Sequence, residues 1–310
     1  MTPLPRLVLL GPTAAGKSEI ALHLAPLLGG EIVGADSRQI YRGLEIGTAA
    51  PAPEDLARTP HHLASFLEPD QVYSAGRYAR DAQAVLAEID ARGRRPIIVG
   101  GSGLYLRALL VGLFRGPERD EAIREELRGR IEREGLAELR EELRRVDPEA
   151  HDAILPGDPV RVVRALEVFR LTGEPISRLR RSQATEPTPA LRFGIRWERA
   201  ALAIRITERI EDQMRRGFLE QARALAGQAL SPNAPGLQTL GYRELLAHLR
   251  GETTLAAARD TIALRTRQLA KRQETWFRKE PDTRWFTPEA ADEFPRIAGE
   301  IARTAAETEP

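Results

Sequence analysis

The chain contains no cysteine, and this absence excludes disulfide bonds and any zinc site built from thiolates. It also lacks an apolar run near the roughly 18 residues that a membrane-spanning helix requires. Its first residues show neither the long apolar core nor the cleavage site of a signal peptide. We therefore expect a cytoplasmic protein with no membrane partner. Its 310 residues suffice for one main hydrophobic core and a smaller satellite domain.

Lysine is scarce, and charge is unevenly distributed. Only Lys17, Lys271 and Lys279 are lysines among 46 basic residues, a bias that a GC-rich genome would produce by itself. The net charge of +1 hides a basic segment, residues 259–279, with a net charge of +5, and an acidic segment, residues 118–149, with a net charge of −4. A basic surface is thus available to an acidic partner despite the nearly neutral total.

The first hundred residues alternate short apolar runs with helical patterns. Strands are predicted at 7–10, 31–33 and 96–100, and the last is apolar enough for a fully buried parallel strand. Helices are predicted at 19–28, at 78–92 and from Leu104 onward. Strands that alternate with helices in this way predict an α/β fold with a mostly parallel, doubly wound sheet.

The pattern changes after Gly112. Residues 118–146 are charged and helical, with little β-branching. Asp158 and Pro159 then supply an N-cap and a first-turn proline for a further helix that Gly173 ends. A loop at 182–189 and a returning strand at 191–197 follow, and later helices are predicted near 200–227, 239–249 and 254–279. We therefore predict a helical insertion at 115–190 in a core formed by 1–114 and 191–310.

A glycine-rich loop between the first predicted strand and helix fits the pattern GxxxxGK[ST]. Its glycines let the backbone curl so that N–H groups point inward, and the N-terminus of the next helix adds positive potential. Lys17 adds a charge, and the Ser18 hydroxyl is a ligand for Mg²⁺. The motif predicts a P-loop core that binds a diphosphate or triphosphate, without specifying the base. Its residues are Gly11, Pro12, Thr13, Ala14, Ala15, Gly16, Lys17 and Ser18.

Asp36 follows the second predicted strand and therefore lies at the carboxyl edge of the sheet, beside the P-loop. In P-loop kinases a carboxylate at such a place contacts Mg²⁺ or the phosphoryl acceptor. Taken alone, an Asp-Ser pair after a strand also fits a turn or a helix cap.

Several further blocks accompany Asp36. They are DSRQIYRG (36–43), IGTA (46–49), PHHL (60–63), YS (73–74), VGGSGLYL (99–106), DPVRVVRALE (158–167), QTLGYRE (238–244) and RQLAKRQETWFR (267–278). Together with the P-loop, these blocks closely resemble the tRNA dimethylallyltransferases, also called tRNA isopentenyltransferases. The resemblance runs from residue 11 to residue 278 in the family's order, and so covers nearly the whole chain.

The chain departs from the family pattern at three places. Ala50 stands where the family usually has lysine, Ala64-Ser65 stands where Ile-Asp or a close variant is usual, and Ser102 replaces a common threonine. The first two departures concern contacts near the acceptor. Neither of these two touches the P-loop or Asp36.

The resemblance implies a specific reaction. The donor is dimethylallyl diphosphate, and the acceptor is the exocyclic amine of the adenine on the 3′ side of the anticodon. Lys17 and Mg²⁺ on Ser18 absorb the charge of the leaving diphosphate. By family position Asp36 takes or orients the amine proton, Thr13 and Arg205 approach the diphosphate, and Gln39 lies along the flipped adenine.

The implied partner is the anticodon stem-loop of tRNA, and a monomeric enzyme is expected. A base inside a structured loop must be extruded before it can be alkylated, which requires contacts to the neighbouring nucleotides. Arg161 and Arg164 share a helix face, and Arg265, Gln268, Arg272 and Lys279 recur at helical spacing. By pattern alone either stripe is more often a solvated face, and the family blocks favour RNA contact for the second stripe. The residues assigned to tRNA are Asp36, Ser37, Arg38, Gln39, Ser102, Arg161, Arg164, Gly241, Tyr242, Arg243, Arg265, Gln268, Lys271, Arg272, Arg278 and Lys279.

Three alternatives remain at this stage. An adenylate isopentenyltransferase would use the same donor on free AMP, but it has no need of the insertion or the basic C-terminal helix. A small-molecule P-loop kinase would use ATP as phosphoryl donor. A non-catalytic nucleic-acid-binding module would leave a P-loop beside Asp36 unexplained. His61 and His62 are adjacent and therefore poor ligands for one metal ion, so no zinc is expected.

Overall fold

The apolar runs of the sequence form a parallel β-sheet at the centre of the larger of two units. The computed structural model describes residues 5–113, 116–182 and 187–308. The strands in this part of the chain are β1 (Arg6–Leu10), β2 (Gly30–Gly34), β3 (His61–His62), β4 (Arg95–Gly100), β5 (Ala190–Ile195) and β6 (Thr283–Phe286). Their order in the sheet is β3-β2-β4-β1-β5-β6, and every pairing is parallel.

The predicted α/β fold with its parallel sheet is confirmed. Strand β1 lies between β4 and β5, and its apolar residues are at most 1% exposed because helices cover both faces of a parallel sheet. The strand order reverses direction beside β1, so the crevice at the carboxyl ends of the strands is the expected place for a ligand.

The larger unit comprises Met1–Leu110 and Thr188–Pro310. Its first helices are α1 (Lys17–Leu28), α2 (Glu45–Thr48), α3 (Pro53–Arg58), α4 (Ala75–Ala91) and α5 (Gly103–Leu110). Helix α4 begins three residues before its predicted start, because the Ser74 hydroxyl caps it by accepting a hydrogen bond from the Arg77 amide.

The smaller unit, Val111–Pro187, is helical and has its own core. It contains α6 (Glu121–Glu134), α7 (Leu136–Val146), α8 (Pro148–Ala153), α9 (Pro159–Thr172) and α10 (Ile176–Ser182). Leu127, Leu139, Leu143 and Leu166 are wholly buried in its core. The predicted insertion at 115–190 overlaps this unit, although residues 114–115 and 183–186 at its two ends, with part of the predicted loop, lie outside the described residues.

After the insertion the chain returns to the larger unit. The remaining helices are α11 (Arg199–Arg215), α12 (Phe218–Ala226), α13 (Tyr242–Leu249), α14 (Leu255–Phe277) and α15 (Phe294–Glu307), and a 3₁₀ turn (Ala291–Glu293) precedes the last. No helix in the described ranges is long and apolar enough to cross a membrane.

Two expectations about these elements are wrong, and two elements were not predicted. The helix predicted at 200–227 is two helices, because Gly217 adopts a left-handed conformation with φ 96° between them. Strand β6 and helix α15 had no counterpart in the predicted pattern. Strand β6 is only four residues long, which is too short for a clear apolar pattern. Helix α14 ends at Phe277, so Lys279 lies beyond it and cannot belong to a helical stripe with Arg265.

A buried carboxylate, Glu167, joins α6 and α9 in the smaller unit. Glu167 is 0% exposed and accepts hydrogen bonds from Arg124 (2.8 Å), Arg164 (2.7 Å) and the Asp120 amide (2.9 Å). Burial raises the pKa of this carboxyl, but the hydrogen bonds from the two arginines and the amide outweigh it and lower the pKa to about 2. The predicted RNA contact Arg164 is thus held by Glu167 and by the Pro117 carbonyl.

We predict that Glu167→Gln lowers the local unfolding free energy of the smaller unit by about 3–5 kcal/mol, because it leaves buried guanidinium groups without a counter-charge. Because folding lowers the pKa of Glu167, its contribution is complete above the ordinary carboxyl pKa and is lost as the pH falls towards about 2. Hydrogen exchange of α6 and α9 measures the effect. Glu141→Gln, which removes an exposed pair with Arg144, is the control; equal losses in both variants would contradict the prediction.

Candidate active site

Four neighbouring strands deliver polar segments to the carboxyl edge of the sheet. Loop 11–18 follows β1, Asp36 follows β2, Ser102 follows β4 and Trp197 follows β5. Because parallel strands end at one edge, the segments after β1, β2 and β4 line a single cavity of about 530 Å³, and Trp197 contacts loop 11–18 beside it.

Three side chains bind carbonyls of loop 11–18, and two of them come from distant parts of the larger unit. Lys17 Nζ donates to the Pro12 carbonyl (2.6 Å), Arg205 Nε donates to the Ala14 carbonyl (3.0 Å), and Trp197 Nε1 donates to the Ala15 carbonyl (3.1 Å). Within the part of the chain that the structure describes, the only loop amide bound by a side chain is that of Thr13, which donates to Gln273 Oε1 (2.8 Å).

The amides of the same loop are largely left without acceptors. Within the described residues, those of Ala14, Gly16, Lys17 and Ser18 have no hydrogen-bond partner. They surround the N-terminus of α1, which carries no side-chain cap. Unpaired N–H groups at a helix N-terminus form an anion site, so this loop suits a phosphate group.

Gly16 is required at its position for two reasons. Its φ of 90° lies in the left-handed region, and a Cβ atom there would approach the Phe294 ring to 2.2 Å. Phe294 also packs edge-on against Trp197, and both rings lie beneath the Arg205 guanidinium. The aromatic pair therefore supports both the loop and the arginine that binds it.

Lys17, Asp36 and Arg209 form an electrostatic cluster in the cavity. Burial of its ammonium lowers the pKa of Lys17 to about 8; Asp36 opposes this lowering, and Arg209 adds to it. Burial likewise lowers the pKa of Arg209, against the attraction of Asp36. Two partly desolvated cations thus face one carboxylate, an arrangement that favours a further anion.

The segment that carries Asp36 is held in place by backbone and side-chain hydrogen bonds. Asp36 Oδ1 accepts from the Arg38 amide (2.8 Å), and Ser102 Oγ accepts from the Ser37 amide (2.9 Å). Gln39 Nε2 donates to the carbonyl of Ala49 (2.7 Å). The second carboxylate oxygen of Asp36 has no partner in the described chain and is available to a substrate.

The cavity brings together most of the residues predicted for the donor and the adenine. Thr13, Ala14, Ala15, Gly16, Lys17, Ser18, Asp36, Gln39 and Arg205 line it, whereas Gly11, Pro12, Ser37, Arg38 and Ser102 lie behind or beside its wall. Two of the three family departures also face this space, because Ala50 and Ala64 are wall residues.

Arg209, Gln213 and Gln273 are among the wall residues that the sequence analysis missed. Arg209 and Gln213 lie on α11 at intervals of four residues after Arg205, and this helical spacing would have revealed them. Gln273 donates to the Gly101 carbonyl and accepts from Thr13, so it joins α14 to two loops. Only the folded structure shows that contact.

The available oxygen donors fit a magnesium ion that is bound through its ligand's phosphates. Ser18 is exposed and lines the cavity beside the amides of loop 11–18, and phosphate oxygens would complete the set. No group of three or more metal-binding side chains occurs among the described residues. Mg²⁺ is commonly held by one or two protein oxygens together with phosphates and water, which matches this sparse set.

A second concavity, of about 370 Å³, lies between α14 and the start of α13. We call it the α13–α14 groove; its residues are Gln238, Leu240, Arg243, Glu244, Arg265, Gln268 and Arg272. Four residues predicted to bind tRNA are thus neighbours. Lys271, Arg278 and Lys279 are exposed outside the groove, and Arg161 is exposed on α9 in the smaller unit.

Tyr242 and Gly241 are both buried, and their assignment to tRNA stays a prediction. Tyr242 is 0% exposed, and its hydroxyl accepts a hydrogen bond from the Gly47 amide (3.0 Å), so its side chain offers no surface to RNA. Gly241 is buried and has a φ of 94°, which places the first turn of α13. Both residues are thus buried next to the groove residues Arg243 and Glu244.

Known proteins are similar to this chain in sequence and in fold. A family model described as IPP transferase matches residues 39–280. The tRNA dimethylallyltransferase of Geobacter sulfurreducens is 46% identical over 280 residues, which cover 90% of each chain. The tRNA dimethylallyltransferase 2 of Syntrophus aciditrophicus is 43% identical over 302 residues, or 96% of this chain and 97% of the relative.

Solved structures agree with this similarity. The tRNA isopentenylpyrophosphate transferase from Bacillus halodurans superimposes with a TM-score of 0.71 at 34% identity, covering 99% of this chain and 98% of the other. A eukaryotic dimethylallyltransferase acting on tRNA has a TM-score of 0.83 at 23% identity, covering 99% and 81% of the two chains. This last likeness is one of fold.

The lowered pKa of Lys17 predicts how anion binding depends on pH. An anion beside Lys17 raises its pKa, so the affinity for inorganic pyrophosphate should be constant below about pH 8 and fall by up to about tenfold per pH unit above it. The Lys17→Arg variant stays charged over this pH range and is the control. Calorimetry gives the pyrophosphate affinity of each protein, and the ratio of the wild-type to the variant affinity cancels the titration of pyrophosphate itself. A ratio that does not change above pH 8 would show that Lys17 is not the titrating group.

Proposed function

Because this chain belongs to the IPP transferase family, whose curated members are tRNA dimethylallyltransferases, we propose that it prenylates tRNA. Its donor is dimethylallyl diphosphate, and its acceptor is the exocyclic amine of the adenine 3′ to the anticodon. The observation that carries the proposal is that the unpaired amides of loop 11–18 and the free oxygen of Asp36 open into the same cavity.

The reaction exchanges one bond for another. The nitrogen lone pair of the adenine amine forms a bond to the allylic carbon, and the carbon–oxygen bond to the diphosphate breaks with its electron pair going to oxygen. Asp36 accepts the proton that the amine loses. The diphosphate leaves with more negative charge than it had in the donor, so groups that bind it more tightly at that moment accelerate the step.

Loop 11–18 is suited to that leaving group. The amides of Ala14, Gly16, Lys17 and Ser18 can donate hydrogen bonds to the diphosphate without rearrangement of the loop. Side chains already bind the carbonyls of the same loop. Lys17 and Arg209 supply positive charge from the cavity wall, and Arg205 lies at its rim. Mg²⁺ on the Ser18 hydroxyl, when bound, would neutralise further charge on the diphosphate.

The acceptor is tRNA and not a mononucleotide in this proposal. The α13–α14 groove presents three arginines beside the cavity's supporting helices, and the smaller unit adds Arg161 on α9. An enzyme that prenylates free AMP has no use for either feature, and a P-loop kinase is not favoured by any relative named above. A cytoplasmic location follows from the acceptor, and we expect a monomer.

The first test concerns Asp36. We predict that Asp36→Asn slows single-turnover prenyl transfer by about 10²–10⁴-fold and leaves donor affinity nearly unchanged. Asparagine keeps the oxygen that accepts from the Arg38 amide but cannot take a proton. Asp55→Asn is the matched control, since Asp55 lines the same cavity and bonds the Ala52 amide. A variant that retains more than about a tenth of the wild-type rate would rule out Asp36 as the base.

The second test concerns the basic groove. Arg272 has no ion-pair or hydrogen-bond partner among the described residues and is exposed on α14. We predict that Arg272→Glu weakens binding of an anticodon stem-loop by about tenfold and lowers the salt dependence by about one phosphate contact. Arg303→Glu on α15 makes the same charge change outside the groove. Equal effects of the two variants would assign the loss to net charge and not to the groove.

A further inference from the structure

The basic α13–α14 groove has an acidic side chain at its floor. Glu244 is 4% exposed in its side chain, while Arg243 and Arg265, which bind it, are 50% and 40% exposed. Glu244 Oε1 accepts from Arg243 Nε (3.3 Å) and from Arg265 Nη1. Its other oxygen accepts from the Gly241 amide (2.7 Å) and thereby caps α13.

A carboxylate at this place has two opposing effects on an RNA partner. With three arginines and one glutamate the groove has a net charge of +2, so Glu244 weakens its attraction for phosphates. The same carboxylate restricts two long side chains, which would otherwise lose conformational entropy on binding. Arg265 comes from α14 and Arg243 from α13, so Glu244 also fixes the spacing of guanidinium groups from two helices.

We propose that Glu244 is a positioning residue for the RNA substrate: it orients Arg243 and Arg265 so that their remaining N–H groups face the phosphate backbone. The inference rests on the proposed function, because it needs RNA as the occupant of the groove. A guanidinium has five donors in a fixed plane. Glu244 uses one Nη1 donor of Arg265 and the Nε donor of Arg243, and the exposed edges of both groups remain free to bind phosphate oxygens.

The Glu244→Gln substitution separates positioning from simple electrostatics. Glutamine can still accept from the Gly241 amide, so the cap of α13 is kept. The change raises the net charge of the groove by one, and electrostatics alone therefore predicts tighter RNA binding and a steeper salt dependence. Positioning predicts the opposite, about tenfold weaker binding of an anticodon stem-loop, because glutamine holds the guanidinium groups less firmly.

A mutant cycle shows whether the effect acts through the two arginines. In the Arg243→Gln/Arg265→Gln background, adding Glu244→Gln should cause no further loss of stem-loop affinity, because there is no longer a guanidinium to orient. Arg265→Lys gives an independent measurement: it keeps the charge but loses the planar fork, and should weaken binding while the salt dependence stays unchanged. Pyrophosphate binding at loop 11–18 reports on folding in every variant.

The outcomes distinguish this inference from the proposed function. Wild-type protein that binds no stem-loop at micromolar concentration would overturn both. Stem-loop binding that is equal or tighter in Glu244→Gln would overturn the positioning role alone. A loss in Glu244→Gln that persists undiminished in the double-arginine background would also overturn it, since the glutamate would then act by another route.

Discussion

The active site depends on the side chains that bind the backbone carbonyls of loop 11–18. Lys17, Arg205 and Trp197 each bind one carbonyl, and the backbone amides between them are consequently left for a ligand. Trp197 and Arg205 lie 182 and 191 residues from the carbonyls that they bind. Folding of the larger unit therefore completes the anion site before any substrate arrives, and no reorganisation is needed as charge develops on a leaving group.

Helix α11 connects this anion site to the rest of the cavity. Arg205, Arg209 and Gln213 recur every four residues and face the cavity, while Leu202, Ile206 and Ile210 are buried against the core. Gln213 donates to the carbonyls of Ile46 and Gly47, and Arg209 donates to that of Thr48. One amphipathic helix thus supplies positive charge and also fixes the short helix α2 opposite Asp36.

Local patterns explain why much of this was predictable. The buried strand at 96–100, the P-loop-type spacing and the Asp158 cap are each set by neighbouring residues. Arg164 and Tyr242 were assigned to RNA because their blocks are recognisable, but contacts with Glu167 and Gly47 decide where their side chains lie. Gln273 could not be foreseen, because its partners are 172 and 260 residues away in sequence.

We propose that the cavity transfers a prenyl group to an adenine within tRNA. The most direct measurement is mass analysis of nucleosides after incubation with dimethylallyl diphosphate, Mg²⁺ and an anticodon stem-loop, with free AMP as a competing acceptor. We expect one dimethylallyl group on the adenine 3′ to the anticodon and none on AMP. Prenylated AMP beside an unmodified stem-loop would contradict it and would favour an adenylate isopentenyltransferase.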